Sequence, residues 1–192
     1  IANLRLPYLK RAFEGTQQLV PALTSDVPLP NKNGQLVNDY PTMFVLLPIK
    51  DNQKVIAVMA VRLNPFHTFS QIAQTSQNGE SAEAYLFDSH GTMVTESRFT
   101  KQLWETGLIP TGEHSLLNIK IMDPGRNLLL ETKMFSQQAV KNKNSYTLMA
   151  QSALAGNSGS SLKAYRDYRG VPVLGAWLWD KDLQLGFTAE ID

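Results

Sequence analysis

The chain carries three histidines, His67, His90 and His114, and they lie far apart in sequence. None has an Asp or Glu at metal-ligand spacing, so a histidine metal centre is not expected. His90 falls in a turn and His67 on a helix. There is no cysteine, which excludes thiolate catalysis, disulfide scaffolds and Cys-based zinc sites. No G-x-S-x-G, H-E-x-x-H, Walker loop or G-x-G-x-x-G occurs. Gly156 to Gly159 could suggest a phosphate cradle, but no basic residue follows at the needed offset, and a plain loop is expected. Without a nucleophile, base and oxyanion set, this segment is not expected to be an enzyme or to hold a cofactor or metal.

The remaining chemistry is binding chemistry. Tyr85 and Phe87 are two apart on one strand, so they share a face, expected to be the inner one. The Tyr85 hydroxyl is placed either to meet a ligand or to bond a backbone carbonyl. Arg98 follows the second strand, where the chain leaves the sheet, and is the best-placed cation for a carboxylate or phosphate ligand. Tyr165 and Asp167 share one face of their strand, and Arg166 and Tyr168 the other. With Arg169 they form either an exposed hairpin end with ion pairs or the polar wall of a pocket. Trp177 and Trp179 face one side. Core packing is the favoured reading, and stacking on a ligand the alternative. The candidate ligand-binding set is therefore Tyr85, Phe87, Arg98, Tyr165, Asp167 and Trp177.

These side chains need elements to hold them. Leu4, Leu6, Leu9 and Phe13 predict a helix that starts near Pro7 and stops at Gly15. Residues 21–41 are rich in Pro, Asn, Asp and Gly and read as loop. Residues 43–49 and 54–63 flank Lys50-Asp51-Asn52-Gln53 and predict a hairpin. Its second strand is apolar at every position from Val55 to Val61, which predicts burial on both faces. Pro48 predicts that the first strand is an edge. A helix beginning at Pro65, with Phe66, Phe69, Ile72 and Ala73 on one face, should end before Gly79. The organisational break is placed near Asn64, giving segments 1–64 and 65–192.

A second hairpin joins Ala84–Asp88 to Thr92–Ser97 around Asp88-Ser89-His90-Gly91. Asp88 can bond back to the turn amides and Gly91 can take positive φ. Lys101–Leu108 predicts a short helix. Residues 110–144 hold the turn signal Asp123-Pro124-Gly125 between two short apolar runs. Ser145 predicts a helix N-cap, and Gly156 its stop. Residues 156–161 read as a flexible loop. Ala164–Tyr168, Val171–Trp179 and Leu183–Ile191 predict three meandering strands. In the last, Leu185, Phe187, Ala189 and Ile191 alternate with polar positions and are expected to form the buried face. Residues 65–192 thus predict an α+β plan with a five-stranded antiparallel sheet, and a hollow under the long connection that crosses it.

Composition agrees with a folded chain. Of 192 residues, 43% are hydrophobic and 18% charged, enough for one ordinary domain or two small ones. Lys plus Arg number 18 and Asp plus Glu 17, so nothing in the balance selects nucleic acid or an anionic membrane surface. No apolar run is long enough to span a bilayer.

Two sequence blocks carry a resemblance. GESAEAYLFDSHGTMVTESRF is similar to the start of a Cache domain, the extracytoplasmic relative of PAS domains, and YRDYRGVPVLGAWLWDKDLQLGFTAEID resembles its end. FEGTQQLVPALTSDVPL with PTMFVLLPIKDNQKVIAVMAVRLNP resembles the second half of a preceding module in double-Cache receptors. The resemblance covers most of the chain outside residues 110–144. It implies a partial membrane-distal module over 1–64 and a membrane-proximal, PAS-like module over 65–192. It also implies a small-molecule sensor between two transmembrane helices of a bacterial receptor, with a histidine kinase, cyclase or chemotaxis output. The location implied is the periplasmic or extracellular face of the inner membrane. The implied partners are an unidentified small molecule, the membrane through helices outside this segment, and no nucleic acid. Pairing of two copies stays open. The distal amino-acid-sensing pattern of Tyr, Arg, Trp, Tyr and Asp is not matched here. The alternative is a structural or dimerising receptor module with no specific ligand.

Overall fold

The Asp51–Lys54 turn shows how local chemistry builds the first half of the molecule. Asn52 and Gln53 both have positive φ, 46° and 68°, as a two-residue hairpin loop that follows the strand twist requires. The computed structural model describes residues 2–31, 33–67, 70, 71, 73, 79–130 and 145–192. The chain divides into two compact units, Ile1–Thr68 and Phe69–Asp192.

In the first unit, helix α1 (Ala2–Phe13) precedes strands β1 (Gln18–Thr24), β2 (Leu29–Pro30), β3 (Leu36–Val37), β4 (Pro41–Asp51) and β5 (Lys54–Leu63). β1, β4 and β5 form an antiparallel sheet in that order, and β2 pairs with β3. Ala12, Val20 and Leu46 form its core, with Tyr8, Leu23, Phe44 and Val58 against them.

Four expectations change here. Pro7 lies inside α1 rather than at its start, which forgoes one backbone hydrogen bond. β1 occupies part of the stretch read as loop. β4 is central, not an edge, and Pro48 is accommodated because β1 pairs only as far as Leu46. β5 is the edge instead, and it exposes Ile56, Met59 and Val61. No residue of β5 is fully buried, so its apolar run is not covered on both faces.

In the second unit, strand β6 (Glu83–Asp88) is followed by helix α2 (Thr100–Glu105), a 3-10 turn at Leu128–Leu130 and helix α3 (Leu148–Leu154). Strands β7 (Gly159–Arg166), β8 (Pro172–Asp180) and β9 (Leu185–Ile191) follow. The antiparallel sheet runs β6-β9-β8-β7. The fold class is α+β, as expected, but among the described residues the sheet has four strands. The fifth position, outside β6, is reduced to isolated bridges: Phe87 to Met93 and Thr92 to Lys120. The turn between them forms as expected. Asp88 Oδ1 accepts from the amides of His90 (2.9 Å) and Thr92 (2.8 Å), and Gly91 has φ 63°.

Other boundaries shift. The α3 cap is Thr147, not Ser145, and its hydroxyl accepts from the Ala150 amide. β7 begins at Gly159, inside the expected loop, and is bulged between Ser161 and Tyr165. Of the helix expected from Pro65, residues 65–67 form a turn and residues 70, 71 and 73 are helical. Phe69 and Ile72 lie outside the described residues, as do residues 131–144 of the middle segment.

Candidate functional site

The sheet of the second unit has two chemically different faces, and strand register defines them. Glu83 pairs with Glu190, Tyr85 with Thr188 and Phe87 with Gly186. Gly175 pairs with Glu190, and Trp177 with Thr188. Paired residues share a face, so Glu83, Tyr85, Phe87, Val173, Gly175, Trp177, Thr188 and Glu190 point the same way. This is the core face, where Tyr85, Phe87 and Val173 pack with Met93, Leu103, Ile121 and Met149. Leu185 is fully buried, but Ala189 and Ile191 are exposed and Glu190 is buried. The expected burial of β9 is therefore reversed over most of its length. The reason is chemical: polar groups that find partners can be buried.

Those partners are tyrosine hydroxyls. Glu190 accepts from Tyr85 at 2.8 Å and from Tyr165 at 2.7 Å, one on each carboxyl oxygen. Glu83 accepts from Tyr168 (2.7 Å), from Ser97 (2.6 Å) and from the Arg98 amide (3.0 Å). Burial pushes both carboxyls above the usual range, Glu190 to about 8, against the pull of these hydrogen bonds. Burial and the neighbouring carboxyls also push the hydroxyls of Tyr85, Tyr165 and Tyr168 upward, so they stay donors. Two glycines make the room. A side chain at Gly175 would collide with the Tyr165 hydroxyl and the Glu190 stem, and one at Gly186 with the Phe87 ring.

Beside this network sits a buried ion pair. β7 ends at Arg166, and the turn from Asp167 to Gly170 curls inward. Asp167 Oδ1 accepts from the amides of Arg169 and Val171, and Oδ2 from Arg169 Nε at 2.7 Å. Burial raises the Asp167 carboxyl while Arg169 lowers it. With three donors on the carboxylate, the pair is ionic. Arg169 also donates to Gln102 of α2 (2.9 Å), stacks 3.7 Å from the Phe99 ring centre, and lies 3.6 Å from Asp192.

The six expected ligand-binding side chains fall into place unevenly. Tyr85, Phe87, Tyr165 and Trp177 come together on the core face. Trp177 donates to Ser152 Oγ at 3.1 Å and meets Tyr165 edge-on at 6.3 Å. Asp167 is turned inward, bonded to Arg169. Arg98 stands apart, donating to the carbonyls of Gly79 and Ala82. The hairpin end is not exposed: Asp167, Tyr168 and Arg169 are all buried. Arg166 instead leaves the core and clasps Asp123 through two 2.8 Å bonds.

Glu83 and Glu190 were not anticipated from sequence, although one signal pointed to Glu83. It precedes Tyr85 by two, so an inward Tyr85 carries Glu83 inward as well.

The opposite face is apolar. Ala84, Ala189 and Ala176 sit side by side across β6, β9 and β8. Leu86, Phe187 and Leu178 form the next row. Together they line an open groove of about 440 Å³. Among the described residues, no group of His, Asp and Glu could hold a metal, and no helix is long and apolar enough to cross a membrane.

No protein-family model matches the chain, and no curated protein does. Solved structures resemble it at low identity. The periplasmic sensory domain of the Campylobacter jejuni chemoreceptor Tlp1 is 14% identical, over 99% of this chain and 56% of that one, with a TM-score of 0.48. The sensor domain of the V. cholerae histidine kinase DctB is 16% identical, over 96% of this chain and 59% of that one, with a TM-score of 0.45. The ligand-binding domain of Mlp24, solved with asparagine, is 8% identical, over 96% and 54%, with a TM-score of 0.39. The chain spans about half the length of the solved structures it matches.

Proposed function

We propose that the chain is a non-catalytic, extracytoplasmic small-molecule sensing segment of a bacterial transmembrane receptor. The first unit is the later part of a membrane-distal module, and the second is the membrane-proximal module. One observation carries this reading. The buried network of the second unit is built on β6 and β9, adjacent strands, and its ion pair reaches Asp192 just beyond β9. A change on the core face is thereby delivered to the last strand. The double-Cache resemblance of the sequence supports the same reading.

A ligand entering the core face would meet Tyr85, Phe87, Tyr165 and Trp177, and would compete for hydroxyls that Glu190 now holds. Asp167 and Arg98 would be reached only after their present bonds open. This favours a second reading, in which the proximal module relays a signal without a ligand of its own. The polar atoms of Tyr85, Tyr165, Asp167 and Trp177 are each bonded within the chain.

A thermal-unfolding screen against amino acids, organic acids, amines and nucleobases tests the proposal. A ligand at about 100 times its Kd adds about 2.7 kcal/mol. Stabilisation by one chemical class supports ligand sensing. Absence of any shift across the panel supports the relay.

A further inference from the structure

Glu83 and Glu190 face each other across the β6–β9 seam, and both are buried. Directly paired residues place their Cβ atoms about 4.5–5.5 Å apart. Two carboxyls on facing, buried positions of neighbouring strands resist ionising together. The described ion pairs of nearby arginines go elsewhere, Arg169 to Asp167 and Asp192, and Arg166 to Asp123.

The geometry points to a proton-operated latch: one proton on the Glu83–Glu190 pair keeps β6 and β9 closed, and its loss leaves two facing carboxylates whose repulsion loosens the seam. The proton comes from solvent and returns to it.

Every neighbouring element contributes a group. β6 supplies Tyr85 and β7 supplies Tyr165. The turn after β7 supplies Asp167, Tyr168 and Arg169, and through Arg169 the pair senses Asp192. Residues 97 and 98 supply the Ser97 hydroxyl and the Arg98 amide. The field of Arg169 favours ionisation of Glu83. Glu190 feels burial first, then the charges of Asp167 and Glu83, and is pushed to about 8. The latch places the proton on Glu190.

The direction of the effect follows from linkage. An unfolded Glu loses its proton near pH 4.3, and folded Glu190 near 8. Between these values the folded state binds one more proton, so stability present at low pH is lost as pH rises towards 8.

The test is urea unfolding of the whole chain from pH 5 to 9, for the native sequence and Glu190→Gln, with infrared detection of protonated carboxyl. Between pH 5 and 7 the unfolding constant of the native chain should rise about tenfold per pH unit relative to Glu190→Gln, and the rise should level off above pH 8. A protonated-carboxyl band should be present at pH 6, fall to about half near pH 8 and be nearly gone at pH 9. Equal slopes in the two proteins overturn the latch. If Glu190→Gln fails to fold, the infrared titration of the native chain decides alone, and absence of the band at pH 6 overturns the proposal.

Discussion

Gly175 lies opposite Glu190 on the core face, and the space its side chain would fill is taken by the Tyr165 hydroxyl. The network therefore depends on the absence of a methyl group. Gly175→Ala should destabilise the chain by about 1–3 kcal/mol through overpacking. Tyr165→Phe should cost less in that background than in the native one, because the hydroxyl bond is already displaced. A double-mutant cycle by urea unfolding checks this. Additive costs would show that the two residues do not share the site.

Arg169 is buried between Asp167, Gln102 and the Phe99 ring. Arg169→Met leaves the Asp167 carboxylate without its counter-ion. The expected loss is about 3–5 kcal/mol. Pairing it with Asp167→Asn should recover part of that loss, measurable in the same unfolding experiment.

The apolar outer face makes the opposite prediction. Ala189 is exposed there, so Ala189→Ser should change stability by no more than about 0.5 kcal/mol. A loss of several kcal/mol would restore the burial expected from the alternation of β9.

Turns were the most legible part of the sequence. The Asp88–Gly91 turn and the hairpin around Asn52 form where their residues predict, because their chemistry is local. The α+β plan followed from the strand runs themselves. Burial was less legible. Alternation in β9 placed its apolar set inward, yet Thr188 and Glu190 point into the core, because hydroxyls from β6, β7 and the turn at Tyr168 satisfy the two carboxyls. Those partners are up to about a hundred residues away, as Tyr85 is from Glu190. No local pattern records them. The same holds for Asp167, Tyr168 and Arg169, which alternation divides between two faces and the inward turn gathers into one.

If the core-face network holds β9, loss of one of its bonds must free that strand. Site-resolved amide hydrogen exchange, comparing the native chain with Tyr165→Phe at one pH, tests it most directly. Exchange should be at least about tenfold faster across Leu185–Ile191, which corresponds to the loss of roughly 1.4 kcal/mol expected for a hydrogen bond to a carboxyl. The β4–β5 amides of the first unit should be unchanged. Unchanged β9 exchange, or equal acceleration in both units, would contradict it.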